Sequence, residues 1–238
     1  MTTASLATAA QVDVLAVRLS DVVRPADGQL LSADERARSS RFRFTRDRGR
    51  YVSGRAELRR LLGARLGCGA AEVEFAYGPA GKPSIPGTSL QFNASHSADV
   101  ALFVVADGAD AVGVDIELPR PGFGGVDIAR RFFAPGEVAR LLALPAQQRD
   151  DAFLRCWTRK EALLKAHGGG LSLPLHDFEV SLEPAQPASI VQLGPTLAGR
   201  AWHLYDVSDC WPGSYAAVAV DSTVPVSITS KIPEEGNQ

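Results

Sequence analysis

The sequence is poor in the residues and patterns that several classes of protein require. It has only three cysteines among 238 residues, none of them in a Cys-x-x-Cys motif or a Cys/His cluster, so a structural zinc site is not expected. No uncharged run reaches the ~18 residues that a membrane span needs. The start of the chain lacks the basic region of a signal peptide. The sparse cysteines fit a reducing compartment, and we predict a cytoplasmic protein with no membrane partner.

A large excess of charge is also absent. Lys and Arg number 25 and Asp and Glu 27, a net charge of −2, so bulk electrostatics give no reason to expect a nucleic-acid partner. The composition, 45% hydrophobic and 22% charged, is that of a globular chain that buries a core. No Gly-x-Ser-x-Gly motif surrounds Ser95 and His96, so this pair does not indicate the elbow of a hydrolase.

Two carboxylates stand near the end of an apolar stretch that reads as a buried strand. Asp115 and Glu117 are two residues apart, so on a strand both point to one side, with Cα atoms about 6–7 Å apart. Val114 and Ile116 would point to the other side. A solvated acidic face and a divalent-cation site are equally compatible with this stretch alone.

A predicted helix at residues 152–166 carries a second group of charges. Trp157, Glu161 and Lys165 are spaced four residues apart and therefore share one face. An exposed Glu–Lys pair is the ordinary interpretation, but a tryptophan on the same face suggests partial burial. If Glu161 faced the two strand carboxylates, three like charges would need a cation to neutralise them. Oxygen ligands favour Mg²⁺, with Mn²⁺ as an alternative.

Other elements are predicted from periodicity and turn residues. Ser32 and Glu35 have the spacing of a capping box, and residues 47–66 have the apolar stripe of a helix that ends at Gly67. Short connections between three apolar runs predict an antiparallel meander of residues 90–93, 100–106 and 111–118, with His96 at a turn. The Pro- and Gly-rich stretch 119–125 predicts a hinge between two coarsely similar halves, 1–118 and 119–238.

A series of motifs resembles that of the 4′-phosphopantetheinyl transferases, in the longer, monomeric type named after the surfactin-synthetase activator. The motifs occur in the order of the family and extend over residues 38–171. They are Gly-Lys-Pro at 81–83, Phe-Asn-Ala-Ser-His-Ser at 92–97, Gly-Val-Asp-Ile-Glu at 113–117, Phe-Phe at 132–133 and Trp-Thr-Arg-Lys-Glu-Ala-Leu-Leu-Lys at 157–165. The resemblance implies an α+β fold of two similar α/β halves related by a pseudo-two-fold axis. Each half would be a helix packed on a small antiparallel sheet, with the active site in the cleft between the halves.

The resemblance also implies an activity. Members of the family move the 4′-phosphopantetheine arm of coenzyme A to a serine of an apo acyl, peptidyl or aryl carrier protein and release adenosine 3′,5′-bisphosphate. We therefore expect coenzyme A and a carrier protein as partners of a monomeric, Mg²⁺-dependent enzyme. The alternatives are a metal-dependent hydrolase of nucleotide diphosphates, which the three acids alone would permit, and a protein that binds coenzyme A or a carrier without catalysis.

Roles for individual residues follow from the same resemblance. Asp115, Glu117 and Glu161 correspond to the Mg²⁺ ligands, and Glu161 is the candidate to deprotonate the carrier serine, directly or through a water molecule. Lys165 corresponds to the lysine that contacts the phosphates, and with Glu161 it forms the expected catalytic pair. The expected coenzyme A contacts are Arg38, Arg50, Lys82, Pro83, Ser95, His96, Asp115 and Lys165. The chain departs from the family at Glu35, where some relatives carry a basic residue, so the arginine that contacts the 3′-phosphate is left open.

Overall fold

The structure is a computed structural model that describes residues 9–120, 124–170, 173–184 and 186–231. The helices in these ranges are α1 (Pro25–Leu30), α2 (Ala33–Ser39), α3 (Thr45–Leu66), α4 (Gly125–Phe132), α5 (Pro135–Ala143) and α6 (Ala146–His167). The strands are β1 (Ala10–Arg18), β2 (Ala76–Tyr77), β3 (Pro83–Ser84), β4 (Gln91–Ser97), β5 (Val100–Asp107), β6 (Ala111–Glu117), β7 (Glu179–Val180), β8 (Ile190–Gln192), β9 (Trp202–Asp206), β10 (Tyr215–Asp221) and β11 (Val226–Lys231). Of the described helices, none is both long enough and apolar enough to cross a membrane.

Two main sheets face each other across a shared apolar core. One has the strand order β11-β1-β5-β4 and the other the order β6-β10-β9. Neighbouring strands are antiparallel in both sheets, except that β1 and β11 are parallel. Val104 of β5, Val114 of β6 and Val218 of β10 meet in the core between the sheets. Further out, β2 pairs with β3 and β7 with β8 in two short sheets.

A long helix covers the outer face of each sheet. Leu58 and Leu62 of α3 pack on Phe103 of β5, and Leu163 of α6 packs on Ala219 of β10. Because successive residues of a strand point to opposite faces, β5 contributes alternate side chains to the shared core and to the layer beneath α3. Burial on both faces explains why its sequence is continuously apolar. The predicted α+β fold with small, mainly antiparallel sheets is confirmed.

The two halves contain the same kind of buried ion pair. Glu35 in α2 and Glu137 in α5 each accept a hydrogen bond from the backbone N–H three residues earlier. Each also pairs with a cation of the next long helix, Glu35 with Arg59 at 2.7 Å and Glu137 with Lys160 at 2.8 Å. Both cations donate further hydrogen bonds to carbonyl oxygens of the segment that follows their helix. This repeated arrangement supports the description of the molecule as two similar halves.

Local signals in the sequence predicted several helix ends. The capping box between Ser32 and Glu35 is present at the start of α2. Gly67 ends α3 in the left-handed conformation, with a φ of 70°. The predicted start of the second long helix at residue 152 is wrong, because α6 begins directly after Pro145. Its first turn is polar and has no apolar period. Arg149 instead anchors this turn by donating hydrogen bonds to two carbonyl oxygens at the end of α5.

The predicted meander is correct for two of its three strands. β4 and β5 are antiparallel neighbours, but β6 forms its ladder with β10 in the other sheet. The placement of His96 at a turn is also wrong, because His96 lies within β4 and the turn follows at Ala98, which has a φ of 52°. Short connections predicted adjacency, but the apolar inner face of β6 packs better as part of the second sheet.

The division of the chain at residue 118 remains a prediction. Strand pairing shows that each predicted half supplies one strand to the sheet of the other: β6 pairs with β10, and β11 pairs with β1. Of the predicted hinge, residues 121–123 lie outside the described ranges. Gly125, at its end, already belongs to α4.

Candidate functional site

The two acidic residues of β6 are bound by hydroxyl groups of β4. Ser95 donates a hydrogen bond from Oγ to Asp115 Oδ1 at 2.7 Å, and Ser97 donates one to Glu117 Oε2 at 2.9 Å. Asn93, two residues before Ser95, accepts a hydrogen bond from the backbone N–H of Val114 at 3.1 Å. β4 and β6 are edge strands of different sheets, so these side chains join the two sheets where no backbone ladder does.

The sequence pattern that predicts these contacts is the alternation of residues along β4. Asn93, Ser95 and Ser97 alternate along β4 and are all buried, whereas Ala94 and His96 between them are exposed. Alternation on a strand places the two groups on opposite sides. Ser95 and His96 therefore do not act as one adjacent pair. Ser95 faces Asp115, and His96 faces the solvent side of β4.

Helix α6 brings an ammonium group to the same point. Lys165 Nζ lies 2.6 Å from Asp115 Oδ1 and 2.8 Å from Ser95 Oγ. Asp115 is only 4% exposed, whereas the Lys165 side chain is partly open to solvent. The structure thus brings together Lys165, Asp115 and Ser95, although Ser95 and Lys165 are 70 residues apart in the sequence.

A glycine permits the close approach of α6 to β6. A Cβ atom on Gly113 would lie 2.2 Å from the carbonyl oxygen of Ala162 and 2.3 Å from the backbone nitrogen of Ala166. Such distances are far inside van der Waals contact, and the atoms concerned are backbone atoms that cannot move aside easily. The glycine of the Gly-Val-Asp-Ile-Glu motif is therefore needed for the packing that brings Lys165 to Asp115.

The pKa values of all three carboxylates of the site are raised, in each case mainly by burial. Burial raises the pKa of Asp115 even though Lys165 opposes the shift. Burial also raises the pKa of Glu117, with the charge of Asp115 adding to it. The pKa of Glu161 is raised by burial, then by the charges of Asp115 and Glu117. All three acids thus lie within one another's electrostatic field and would be stabilised by a cation.

The donor set fits a hard cation chemically. Its atoms are all carboxylate oxygens, and the buried Asp115 Oδ2 finds no hydrogen-bond partner among the described residues. The geometry is less complete, because in the described part of the chain no group of three or more His, Cys, Asp or Glu residues is close enough to hold a metal ion. The three-carboxylate site that the sequence predicts is therefore not assembled in this arrangement, in which the Lys165 ammonium neutralises Asp115.

Trp157 occupies the same helix as Glu161 and is partly buried, as its position in the motif predicts. Its ring stacks on Phe153 and Phe133, with centroid distances of 5.8 and 6.4 Å. Its apolar neighbours belong to the core beneath α6. This packing fixes the middle of the helix one turn before Glu161.

A cavity of about 720 Å³ lies beside the acidic residues and is bordered by β4, α2 and α3. Its charged and polar lining includes Arg38, Asp47, Arg50, Tyr51, Arg55, Ser95, His96, Ser97, Glu117 and Arg120. Arg38 stacks over the ring of Tyr51 at 5.5 Å. Arg50 forms an ion pair with Asp21 at 2.6 Å. Partial desolvation lowers the pKa of His96, and the nearby charge of Lys165 lowers it further.

Glu35 stands where some relatives carry a basic residue, but it does not line this cavity. Its carboxylate is 5% exposed and forms ion pairs with Arg55 and Arg59 beneath α2. Arg55 lines the cavity and shares the single carboxylate of Glu35 with Arg59. Arg38 and Arg50, two of the predicted coenzyme A contacts, also line this cavity. Arg50 has a carboxylate partner in Asp21.

Lys82 is placed differently from the other predicted phosphate contacts. Its Nζ donates hydrogen bonds to the carbonyl oxygens of Ala166 at 2.7 Å and Val112 at 3.2 Å. Burial, with the nearby charge of Arg200, lowers its pKa to about 8. Lys82 and Pro83 line a second cavity of about 330 Å³, which Glu161 and Lys165 also border.

The sequence matches models of one enzyme family over most of its length. The 4′-phosphopantetheinyl transferase superfamily matches residues 111–220, and the N-terminal model of a 4′-phosphopantetheinyl transferase matches residues 26–107. The 4′-phosphopantetheinyl transferase HetI of Nostoc sp. is 40% identical over 74% of this chain and 73% of its own length. The 4′-phosphopantetheinyl transferase Sfp of Bacillus subtilis is 32% identical over 67% of this chain and 70% of its own length.

A solved structure is also similar over part of the chain. The holo-[acyl-carrier-protein] synthase of Thermotoga maritima superposes with a TM-score of 0.36 and 21% identity, over 47% of this chain and 62% of that one. This superposition is too partial to bear on the site. The family models, in contrast, match both long helices and all strands from β2 to β10. The chain therefore belongs to the 4′-phosphopantetheinyl transferase family, and it is an enzyme that transfers phosphopantetheine to carrier proteins.

Proposed function

We propose that the enzyme takes the 4′-phosphopantetheine arm from coenzyme A, attaches it to a serine of an apo acyl, peptidyl or aryl carrier protein, and releases adenosine 3′,5′-bisphosphate. The observation that supports this most directly is the contact of Lys165 with Asp115 and Ser95 where α6 meets β6. Ser95 and Glu117 line the cavity with the arginine-rich wall, and Lys165 borders the second cavity together with Glu161. A pyrophosphate carries negative charge over several oxygens, and such a cluster of cations would bind it.

The reaction needs a base for the serine and a counter-charge for the leaving group. The serine Oγ would form a bond to the phosphorus that carries the pantetheine, the bond from that phosphorus to the bridging oxygen would break, and the serine proton would pass to Glu161. Burial and the neighbouring acids raise the pKa of Glu161, which makes it a stronger base than a solvated glutamate. Lys165 would stay at the pyrophosphate and offset the charge that develops on the leaving oxygens.

We further propose that Asp115, Glu117 and Glu161 hold Mg²⁺, or Mn²⁺ in its place, when the substrate is bound. A bound ion would polarise the phosphoryl oxygens and stabilise the charge of the leaving group. Asp115 Oδ2, which has no partner in the described part of the chain, and the raised pKa values of all three acids support this assignment. For the ion to bind, Lys165 would exchange its contact with Asp115 for one with substrate phosphate, and the acids would move closer together.

The nucleotide end of coenzyme A would occupy the arginine-lined cavity. Arg38 has no carboxylate partner among the described residues and is stacked on Tyr51, so we assign it the 3′-phosphate. Arg50 and His96 would complete the phosphate contacts, with Arg50 released in part from Asp21. Pro83 borders both cavities and would contact the nucleotide between them.

One assay separates this function from its alternatives. The enzyme is incubated with coenzyme A, Mg²⁺ and each of several apo acyl and peptidyl carriers, and the carriers are weighed by mass spectrometry. We expect a mass gain of one phosphopantetheine on a carrier serine, with one adenosine 3′,5′-bisphosphate released per transfer. Nucleotide release without a change in carrier mass would indicate a hydrolase. Binding with neither product would indicate a non-catalytic protein.

We also propose that the enzyme is a cytoplasmic monomer. Cys68, Cys156 and Cys210 are all unpaired, which suits a reducing compartment. Light scattering on the purified protein tests the oligomeric state. A mass of twice that of the chain, at concentrations where transfer is measured, would contradict the proposal.

A further inference from the structure

Lys82 connects the two elements that carry the proposed catalytic groups. It lies in the loop before β3, and its ammonium group bridges the carbonyl oxygens of Ala166 in α6 and Val112 in β6. β6 carries Asp115 and α6 carries Lys165. The bridge therefore joins the last turn of α6 to the start of β6. Its two acceptors lie one residue after Lys165 on the helix and three residues before Asp115 on the strand.

The surroundings of the bridge are tightly packed. Gly113, next to Val112, brings the backbone of β6 against Ala162 and Ala166 of α6. Gly168 ends α6 in the left-handed conformation with a φ of 81°, and a Cβ atom there would lie 3.1 Å from Lys82 Cδ. The stem of Lys82 thus lies over the end of the helix, where Gly168 leaves room for it.

The position suits a cation that stays in place. Ala166 is in the last turn of α6, where carbonyl oxygens lack partners within the helix and carry the negative end of its dipole. Val112 lies at an edge of the second sheet that β4 approaches through side chains only. Two of the three ammonium N–H groups are used in these bonds, and both acceptors are backbone atoms that a substrate cannot displace.

We infer that Lys82 is a positioning residue, which holds the end of α6 against the start of β6 and so sets where Lys165 stands relative to Asp115. This inference rests on the function proposed for these two residues. It differs from the role that the family resemblance implies for Lys82, which is direct binding of a coenzyme A phosphate. The two roles predict opposite kinetic effects of substitution.

Lys82→Met keeps the length of the stem and removes the donors. Because displacement of a catalytic group by about 1 Å can cost roughly a hundredfold in rate, we expect kcat to fall roughly tenfold to a hundredfold. The KM for coenzyme A should stay within about twofold, since no substrate contact is lost. Arg38→Met is the matched control, and it should raise that KM and leave kcat nearly unchanged. A raised KM with unchanged kcat for Lys82→Met would overturn the inference.

A second measurement follows the ammonium groups of the wild-type protein and needs a variant only to assign them. The chain has four lysines, at 82, 160, 165 and 231, so their side-chain ammonium groups can be followed by NMR after ¹⁵N-lysine labelling. Lys82→Arg assigns the resonance and retains the donors. On addition of adenosine 3′,5′-bisphosphate, the signal of Lys165 should shift and that of Lys82 should not. A shift at Lys82 as large as that at Lys165 would overturn the inference.

The two outcomes also separate this inference from the proposed function. If wild-type enzyme modifies no carrier, the proposed function fails, and the NMR comparison still decides whether Lys82 contacts the nucleotide. If wild-type enzyme is active, the division of the Lys82→Met effect between kcat and KM decides its role.

Discussion

Asp115 is the residue in which the structural and the proposed chemical roles meet. One of its oxygens is bonded to Ser95 and Lys165, and the other is buried without a partner among the described residues. A group arranged only for stability would be expected to have both oxygens satisfied. The raised pKa of Asp115 also indicates a role other than stability, because burial makes the charged form costly at neutral pH.

We predict that Asp115→Asn abolishes transfer with little loss of stability. At neutral pH, an acid whose folded pKa is raised above its unfolded value subtracts stability, and the amide removes that cost. The free energy of unfolding should fall by less than about 1 kcal/mol, or rise. Urea unfolding and the carrier mass assay measure the two effects. Asp110→Asn, at an exposed position just before β6, should change neither.

Asp115→Asn would then abolish activity without a matching loss of stability. An Asp115→Asn protein that transfers phosphopantetheine at the wild-type rate would contradict the proposed role of the carboxylate. A protein that is unfolded by circular dichroism would instead show that the Lys165–Asp115 pair is mainly structural.

The long helices α3 and α6 depend on buried ion pairs for their orientation. Lys160 and Glu137 are both 0% exposed, and Lys160 directly precedes Glu161 on α6. The cation faces the core, where it also lies 4.3 Å from the centre of the Phe178 ring. The next residue in the helix is rotated by about 100° and faces the site. The buried pair therefore fixes the rotation of α6 that aims Glu161.

We predict that Lys160→Met costs more stability than Arg59→Met, its counterpart in the first half. Lys160→Met leaves Glu137 buried without a cation, which typically costs about 3–5 kcal/mol. After Arg59→Met, Glu35 still has Arg55 as a partner, so the loss should be smaller. Urea unfolding of both variants measures the difference. The double variant Glu137→Gln/Lys160→Met should recover part of the loss, and an additive double effect would argue against the pair.

Sequence patterns identified the local features of these elements but not their long-range partners. The capping box at Ser32 and the stop at Gly67 depend on neighbouring residues, so the sequence alone predicted them. The role of Glu35 depends on two arginines at least 20 residues away in the chain, and resemblance alone placed it on the phosphate side. The phosphate contact expected of Lys82 remains a prediction, and nothing in the sequence marks its two carbonyl partners.

At the scale of the molecule, two sheets share one core and exchange strands. β11, from the end of the described chain, lies parallel to β1 in the first sheet. Alternation along β11 places Val226 and Ile228 against the shared core and leaves Ser227 and Thr229 exposed. β11 also covers the edge of β1, and an uncovered edge strand can pair with another chain. The sequence did not predict this strand, since Val226 and Ile228 are too few apolar residues to distinguish a short edge strand from a polar tail.

We predict that Ile228→Asp detaches β11 and that Thr229→Asp does not. A charge placed against the shared core should lower the free energy of unfolding by about 2–4 kcal/mol. The exposed edge of β1 should also lead to self-association, which size-exclusion chromatography detects. Thr229→Asp adds the same charge on the exposed face and should behave as wild type. Equal effects of the two variants would show that β11 contributes no buried contact.

The central claim is that Asp115, Glu117 and Glu161 converge on one divalent cation when coenzyme A is bound. Mn²⁺ reports this directly, because its electron paramagnetic resonance signal distinguishes free from bound ion. In the presence of coenzyme A, the wild-type protein and Asp110→Asn should each bind one Mn²⁺. Asp115→Asn, Glu117→Gln and Glu161→Gln should each weaken that binding by at least about tenfold. Equal Mn²⁺ affinity in the wild type and all three carboxylate variants would contradict the account.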